Sequence, residues 1–103
     1  MERRFYAKLH TTGGYTILAV CDKDLLGKKI IDTKRKLVVY VDPRFYGGEE
    51  ITESQLLRLI EEVDVVNALG RDTVNVILSR YPQYREAIIL IGDVPHIQIL
   101  RLE

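Results

Sequence analysis

The hydrophobic pattern of the first half of the chain is that of β-strands. Apolar and polar residues alternate from Arg4 to Thr11, and the run from Tyr15 to Cys21 is apolar and rich in β-branched residues. Gly13-Gly14 lies between the two runs, and paired glycines in that place predict a β-hairpin. A third strand is predicted from Lys36 to Val41, and Asp42-Pro43 ends it.

Helical periodicity dominates the middle of the chain. Apolar residues recur at helical spacing from Thr52 to about Val66, and Thr52 and Gln55 have the spacing of a capping box. A second helix is predicted from Ala68 to Arg80, with Asn67 as its cap. The chain therefore predicts two consecutive helices after its strands.

Shorter signals complete the order of elements. Asp22 and Gly27 bracket a single helical turn, as its N-cap and its left-handed stop. The continuous apolar run from Ala87 to Ile91 predicts a central strand, and Gly92–Pro95 turns the chain into a last strand, His96 to Leu102. We therefore expect a single compact α+β domain covering residues 1–103, ordered β-β-β-α-α-β-β, with a mixed sheet and a helix pair packed on one face.

The composition indicates the cellular location of the protein but says little about its function. No apolar run approaches the roughly 20 residues that span a bilayer, and one cysteine allows no intrachain disulfide. We expect a cytoplasmic protein with no membrane contact. The many Lys, Arg and Glu residues and few Asn and Gln residues are a bias typical of thermophiles.

Charge is unevenly distributed in this neutral chain. Residues 1–44 carry ten Lys/Arg against five Asp/Glu, whereas residues 45–66 carry one against six. These charges could simply solvate faces and pair with each other. The alternative is a partner-binding surface of one sign.

Cations interleaved with aromatic residues favour RNA as that partner. Cations contact phosphates, and aromatic faces stack on unpaired bases. The predicted phosphate contacts are Lys28, Lys29, Lys34, Arg35, Lys36 and Arg44, and the predicted stacking or anchoring groups are Tyr6, Phe45 and Tyr46. The sequence lacks the signatures of known RNA-binding modules. We therefore expect a non-catalytic module that binds RNA or a ribonucleoprotein in translation or RNA metabolism.

Tyrosine and arginine equally anchor contacts between proteins. A homo-oligomer, or a subunit of a larger assembly joined through an exposed sheet edge, therefore remains an alternative to RNA binding.

A small enzyme is another alternative, with a polar site formed by Cys21, Asp93 and His96. Cys21 precedes a helical turn, which lowers thiol pKa values, and Asp93 is placed to orient His96 as a general base. Equally, Cys21 at the end of an apolar strand can be a small buried hydrophobe, and Gly92–His96 an ordinary turn. No metal-ligand spacing is present, so we expect neither metal nor cofactor.

An anion site is the last candidate. A helix beginning near Asn67 would present free N–H groups, Gly70 would permit close approach, and Arg71 would add charge. The alternative is a capped junction at which Gly70 lets two helices pack closely.

Four fragments together resemble one family. They are Cys21–Lys28, Phe45–Gly48, Asn67–Arg71 and Gly92–His96, and their order and spacing resemble those of the small archaeal proteins grouped as domain of unknown function 424. The resemblance implies an archaeal, single-domain, intracellular protein without an established biochemical role, and it supplies no catalytic residues. The sequence departs from the family pattern at residues 79–85, where a Gly-led helix stop is expected.

Overall fold

Residues 2–101 are described in the computed structural model, and most of them build one six-stranded sheet and the layers on its two faces. The strands are β1 (Arg4–Thr12), β2 (Tyr15–Asp22), β3 (Lys29–Asp32), β4 (Leu37–Tyr40), β5 (Glu49–Thr52), β6 (Val65–Leu69), β7 (Ile89–Ile91) and β8 (Val94–Leu100). The α-helices are α1 (Pro43–Tyr46), α2 (Glu53–Glu62) and α3 (Arg71–Arg80), and short 3₁₀ helices lie at Lys23–Leu25 and Pro82–Ala87. The sheet order is β5-β1-β2-β6-β8-β7, and β3 and β4 form a separate two-stranded sheet.

The sheet is mixed. Strands β2 and β6 pair in parallel at its centre, and its other neighbouring pairs are antiparallel. The predicted Gly-Gly hairpin between β1 and β2 is confirmed, with Gly13 at φ +56° and Gly14 at φ +82°. Both angles lie in the left-handed region that glycine adopts without a steric penalty.

One face of the sheet carries the two long helices. Alternate residues of each strand point to the same side, so Leu18 and Val20 of β2 pack in one apolar cluster with Leu56 of α2 and Ile77 of α3. The predicted helix pair on one face of a mixed sheet is thus confirmed. The α+β class and the single compact domain also agree with the prediction.

The predicted capping box at the start of α2 is present. The Gln55 backbone N–H donates to Thr52 Oγ1 at 3.2 Å, and the Thr52 N–H donates to Gln55 Oε1 at 2.8 Å. Ile51 and Leu56, on either side of the cap, lie in the same buried cluster. This local signal therefore fixes where α2 begins.

The opposite face of the sheet is covered by the β3–β4 hairpin and α1. Ala19 and Cys21 of β2 form a second buried cluster with Ile30 of β3, Val41 and Tyr46. Strand β3 was not predicted, because only two of its four residues are buried and its pattern is too short to stand out.

Two predicted helix boundaries are wrong. Helix α2 ends at Glu62 rather than near Val66, and α3 begins at Arg71 rather than Ala68. The segment between them, Val65–Leu69, is the strand β6 and lies between β2 and β8. An apolar run this short fits either a helix or a buried strand, and only its neighbours in the sheet decide between them.

Three smaller predictions also need correction. The run that ends at Ile91 is the terminal strand of the sheet and not a central one, because β8 takes the place beside β6. The last strand begins at Val94 rather than His96, and its predicted end at Leu102 lies outside the described residues. Lys36 has φ +56° and belongs to a turn, so β4 begins at Leu37.

Candidate functional site

Five predicted phosphate-binding residues share the β3–β4 hairpin, residues 28–40, which we call the basic hairpin. They are Lys28, Lys29, Lys34, Arg35 and Lys36, and all five are exposed. Among residues 2–101, the single carboxylate within 4.0 Å of these cations is that of Asp32, whose Oδ2 lies 3.9 Å from Arg35 Nε. The basic hairpin therefore presents largely unneutralised positive charge to solvent.

A buried carboxylate fixes the tip of the basic hairpin. Asp32 accepts a hydrogen bond from the Arg35 backbone N–H at 3.0 Å and another from the Gly92 backbone N–H at 3.0 Å. The Gly92 and Arg35 N–H groups, in that order, hold the pKa of Asp32 below its usual value. The hairpin tip is thus tied to the β7–β8 turn.

The outer face of the basic hairpin carries apolar and aromatic side chains beside Lys29. Ile31 and Val38 are cross-strand partners and are 65% and 64% exposed. Tyr40, paired with Lys29, is 50% exposed. The sequence interpretation missed Tyr40, although the alternation along β4 around the partly buried Val39 could have found it.

The predicted aromatic groups of α1 are engaged within the protein. Tyr46 is buried, and its hydroxyl donates to Asn67 Oδ1 at 2.7 Å, so its ring cannot stack on a base. Phe45 stacks on His10 with ring centroids 4.8 Å apart. The His10 Nε2–H also donates to the Phe45 carbonyl oxygen at 2.8 Å.

The remaining members of the predicted surface also have internal contacts. The Lys23 ammonium lies 5.8 Å from the centroid of the half-buried Tyr6 ring. Arg44 is highly exposed and forms an ion pair with Asp42, with Nη2 at 2.8 Å from Oδ2. The predicted binding set therefore separates into the basic hairpin and a self-contacting group around α1.

Cys21, Asp93 and His96 do not form one site. Cys21 is fully buried, and burial together with the nearby carboxylates raises the pKa of its thiol to about 12. Leu69 separates Cys21 from His96, because it is the sheet partner of both. His96 Nε2–H donates to Asn67 Oδ1 at 3.0 Å, and burial lowers the pKa of its imidazole. Asp93 lies exposed in the β7–β8 turn, so neither predicted partner of the buried thiol, Asp93 or His96, lies beside it.

The predicted anion site is occupied by a side chain of the protein. Asn67 lies within β6 and caps no helix, and α3 begins after Gly70. The Asp22 carboxylate accepts from the backbone N–H groups of Asp72 at 3.1 Å and Thr73 at 2.8 Å. A Cβ at position 70, where φ is +118°, would lie 2.4 Å from Asp22 Cγ. Gly70 is thus needed for this internal cap, and the neighbouring Arg71 is exposed.

Residues 2–101 contain neither a metal-binding cluster nor a membrane-spanning helix. No group of three or more His, Cys, Asp or Glu residues in that range could hold a metal ion. No helix in that range is long and apolar enough to cross a membrane.

Comparison with known proteins gives a family and a fold. The model of the family described as "Protein of unknown function (DUF424)" matches residues 10–102. The chain is similar to an uncharacterized conserved protein from Methanopyrus kandleri known from a crystal structure, with 26% sequence identity and a TM-score of 0.78. The similarity covers 97% of this chain and 95% of that one. No curated protein sequence matches the chain.

Proposed function

Since the chain belongs to DUF424, a family described only as proteins of unknown function, we propose a role from its own surface: it is a non-catalytic RNA-binding module that uses the basic hairpin. The observation that carries the proposal is the gathering of five exposed cations on one hairpin with a single, distant carboxylate contact among the described residues. Translation or RNA metabolism in the cytoplasm is the setting in which such a module would act.

The physics of RNA binding fits this surface. Lysine and arginine side chains that replace counterions on a phosphate backbone gain free energy from counterion release. Tyr40 is the cross-strand partner of Lys29 and is exposed. Its aromatic ring therefore offers a stacking surface to an unpaired base. Unpaired bases in loops and single strands are the usual targets of sequence-reading RNA-binding proteins.

The test is the salt dependence of binding to a labelled single-stranded RNA, followed by fluorescence anisotropy. Replacing Lys34, Arg35 and Lys36 together by Ser should reduce the slope of log K against log salt by about 2, since each phosphate contact on a single strand contributes about 0.7. The matched control replaces three exposed arginines elsewhere, Arg58, Arg71 and Arg85, by Ser.

The two triple variants remove the same charge from different surfaces. The proposal requires that the hairpin variant flattens the salt dependence much more than the control. Equal effects of the two variants, or no binding of the wild-type protein at low salt, would exclude the basic hairpin as an RNA-binding surface.

A protein-binding role is the second candidate, and a specific feature favours it. Strand β7 ends the sheet, and its residues Ile89 and Leu90 are about half exposed. An apolar edge strand is a ready site for pairing with another chain. Sedimentation analysis should then show an oligomer that Leu90→Lys dissociates, and a monomer at all concentrations would rule out self-assembly through this edge.

A further inference from the structure

The basic hairpin forms one wall of a cleft whose other wall is formed by β7 and the β7–β8 turn. Ile31, Asp32, Thr33, Lys34 and Arg35 line the first wall, and Leu90, Gly92 and Asp93 line the second. The cleft volume is about 390 Å³. That volume lies within the roughly 300–1,000 Å³ typical of small-ligand sites.

The two walls are held in a fixed relation by Asp32. Its nearly inaccessible carboxylate bonds the Arg35 N–H on one wall and the Gly92 N–H on the other. Gly92 is also closely approached by the backbone of β3, since a Cβ there would lie 2.7 Å from the Ile31 carbonyl oxygen. The cleft is thus formed before any ligand arrives, which limits the entropy lost on binding.

The chemistry of the lining is divided into three kinds. Lys34 and Arg35 are exposed cations, suited to a phosphate. Ile31 and Leu90 are exposed apolar residues, suited to the flat face of a base. Asp93 is an exposed carboxylate with no ion-pair or side-chain hydrogen-bond partner among residues 2–101, and it can accept hydrogen bonds from N–H groups of a base edge.

We propose that this cleft is the subsite for one unpaired guanine nucleotide of the bound RNA. Its phosphate would lie against Lys34 and Arg35, and its base against Ile31 and Leu90. Guanine offers two adjacent N–H donors on its Watson–Crick edge, which match the two oxygens of the Asp93 carboxylate. Uracil offers one N–H between two carbonyl oxygens, and a carboxylate repels those oxygens.

This inference rests on the proposed RNA-binding function, and the test separates the two. Binding of a guanine-containing single-stranded oligonucleotide is compared with that of the same oligonucleotide carrying uracil at the guanine positions. The wild-type protein should prefer guanine by at least about fivefold, the low end of what one bidentate base contact gives. Asp93→Asn should remove most of that preference.

Asp24→Asn is the matched control, because Asp24 is another exposed carboxylate and lies outside the cleft. It should keep the guanine preference. Salt-dependent binding without a guanine preference, or with a preference that Asp93→Asn leaves intact, would overturn the cleft assignment and leave the RNA-binding proposal standing. Absence of any RNA binding would remove both.

Free guanosine monophosphate is the last arm of the experiment. It presents the same base and phosphate without neighbouring nucleotides. We expect it to compete with the oligonucleotide only weakly, since it forms none of the other backbone contacts. Competition as strong as that of the unlabelled oligonucleotide would assign the cleft to a free nucleotide and overturn its role as an RNA subsite.

Discussion

Removing the Asp22 carboxylate should destabilise the protein more than removing any neighbouring charge. Asp22 belongs to β2, yet it caps α3 by accepting hydrogen bonds from the backbone of Asp72 and Thr73. It also accepts from Thr73 Oγ1 at 2.6 Å, and Thr73 is fully buried. Asp22→Ala therefore uncaps a helix and leaves a buried hydroxyl without its acceptor.

The expected loss of stability follows from the helix cap and the hydrogen bond that Asp22→Ala removes. Loss of a helix N-cap costs about 0.5–2 kcal/mol, and a buried donor left without a partner costs about 1–3 kcal/mol. Because the same carboxylate serves both, the losses overlap, and we expect Asp22→Ala to lower the free energy of unfolding by about 2–4 kcal/mol. Asp22→Asn retains an acceptor oxygen for Thr73 but loses the acceptor for the Asp72 N–H and the interaction of the charge with the helix dipole, and it should cost about 1 kcal/mol.

Guanidinium unfolding followed by far-ultraviolet circular dichroism measures these differences. Asp24→Ala removes an exposed charge two residues away and should stay within about 0.5 kcal/mol of wild type. In a Thr73→Val background no buried hydroxyl remains, so Asp22→Ala should cost less there by at least about 1 kcal/mol. The reasoning fails if Asp22→Ala costs no more than Asp24→Ala, or if the Thr73→Val background leaves its cost unchanged.

Three further predictions concern single residues. Thr52→Ala breaks the capping box of α2 and should lower the free energy of unfolding by about 0.5–2 kcal/mol in the same assay. A decrease well below about 0.5 kcal/mol would mean that the cap is not made in solution. Burial raises the pKa of Cys21 to about 12, so the native thiol should react slowly with Ellman's reagent at neutral pH and quickly in denaturant, and rapid native labelling would contradict the structure. Because Asp32 has a lowered pKa in the folded state, its contribution to stability is present above the unfolded pKa of about 3.9 and is lost as the pH falls through the folded pKa. Asp32→Asn should therefore flatten the acid side of the stability profile, and an unchanged acid side would show that the two N–H bonds are not made.

Local signals predicted the parts of the fold that depend on neighbouring residues. The Gly13-Gly14 hairpin and the Thr52–Gln55 cap are each decided within a few positions of the chain, and both were predicted correctly. The segment Val65–Leu69 was not, because five consecutive residues with four apolar side chains fit a helix as well as a strand. This segment forms a strand because it pairs with β2 and β8, which lie far away in sequence.

In the candidate site, too, the features that depend on nearby residues were predicted, and those that depend on distant residues were not. The cations of the basic hairpin were predicted from the uneven distribution of charge along the sequence. Lysine side chains are nearly always exposed, so this prediction needs no knowledge of the tertiary structure. The burial of Tyr46 depends on Asn67, 21 positions further along the chain. The role of Asp22 depends on Thr73, 51 positions away. Contacts over such distances leave no periodic trace in the sequence.

The parallel pairing of β2 with β6 has a consequence for how the chain folds. The β1–β2 and β7–β8 hairpins join residues close in sequence, and hairpins of this kind form within about 1–10 μs. The β2–β6 pair instead brings together residues such as Thr16 and Asp64, which are 48 positions apart and are joined by a hydrogen bond of 2.9 Å at the start of the pair. The entropy of closing that loop is lost before the central contacts are gained. Closure of this loop should therefore limit the rate of folding. Both hairpins should form before it, and the sheet should be completed in a single later step.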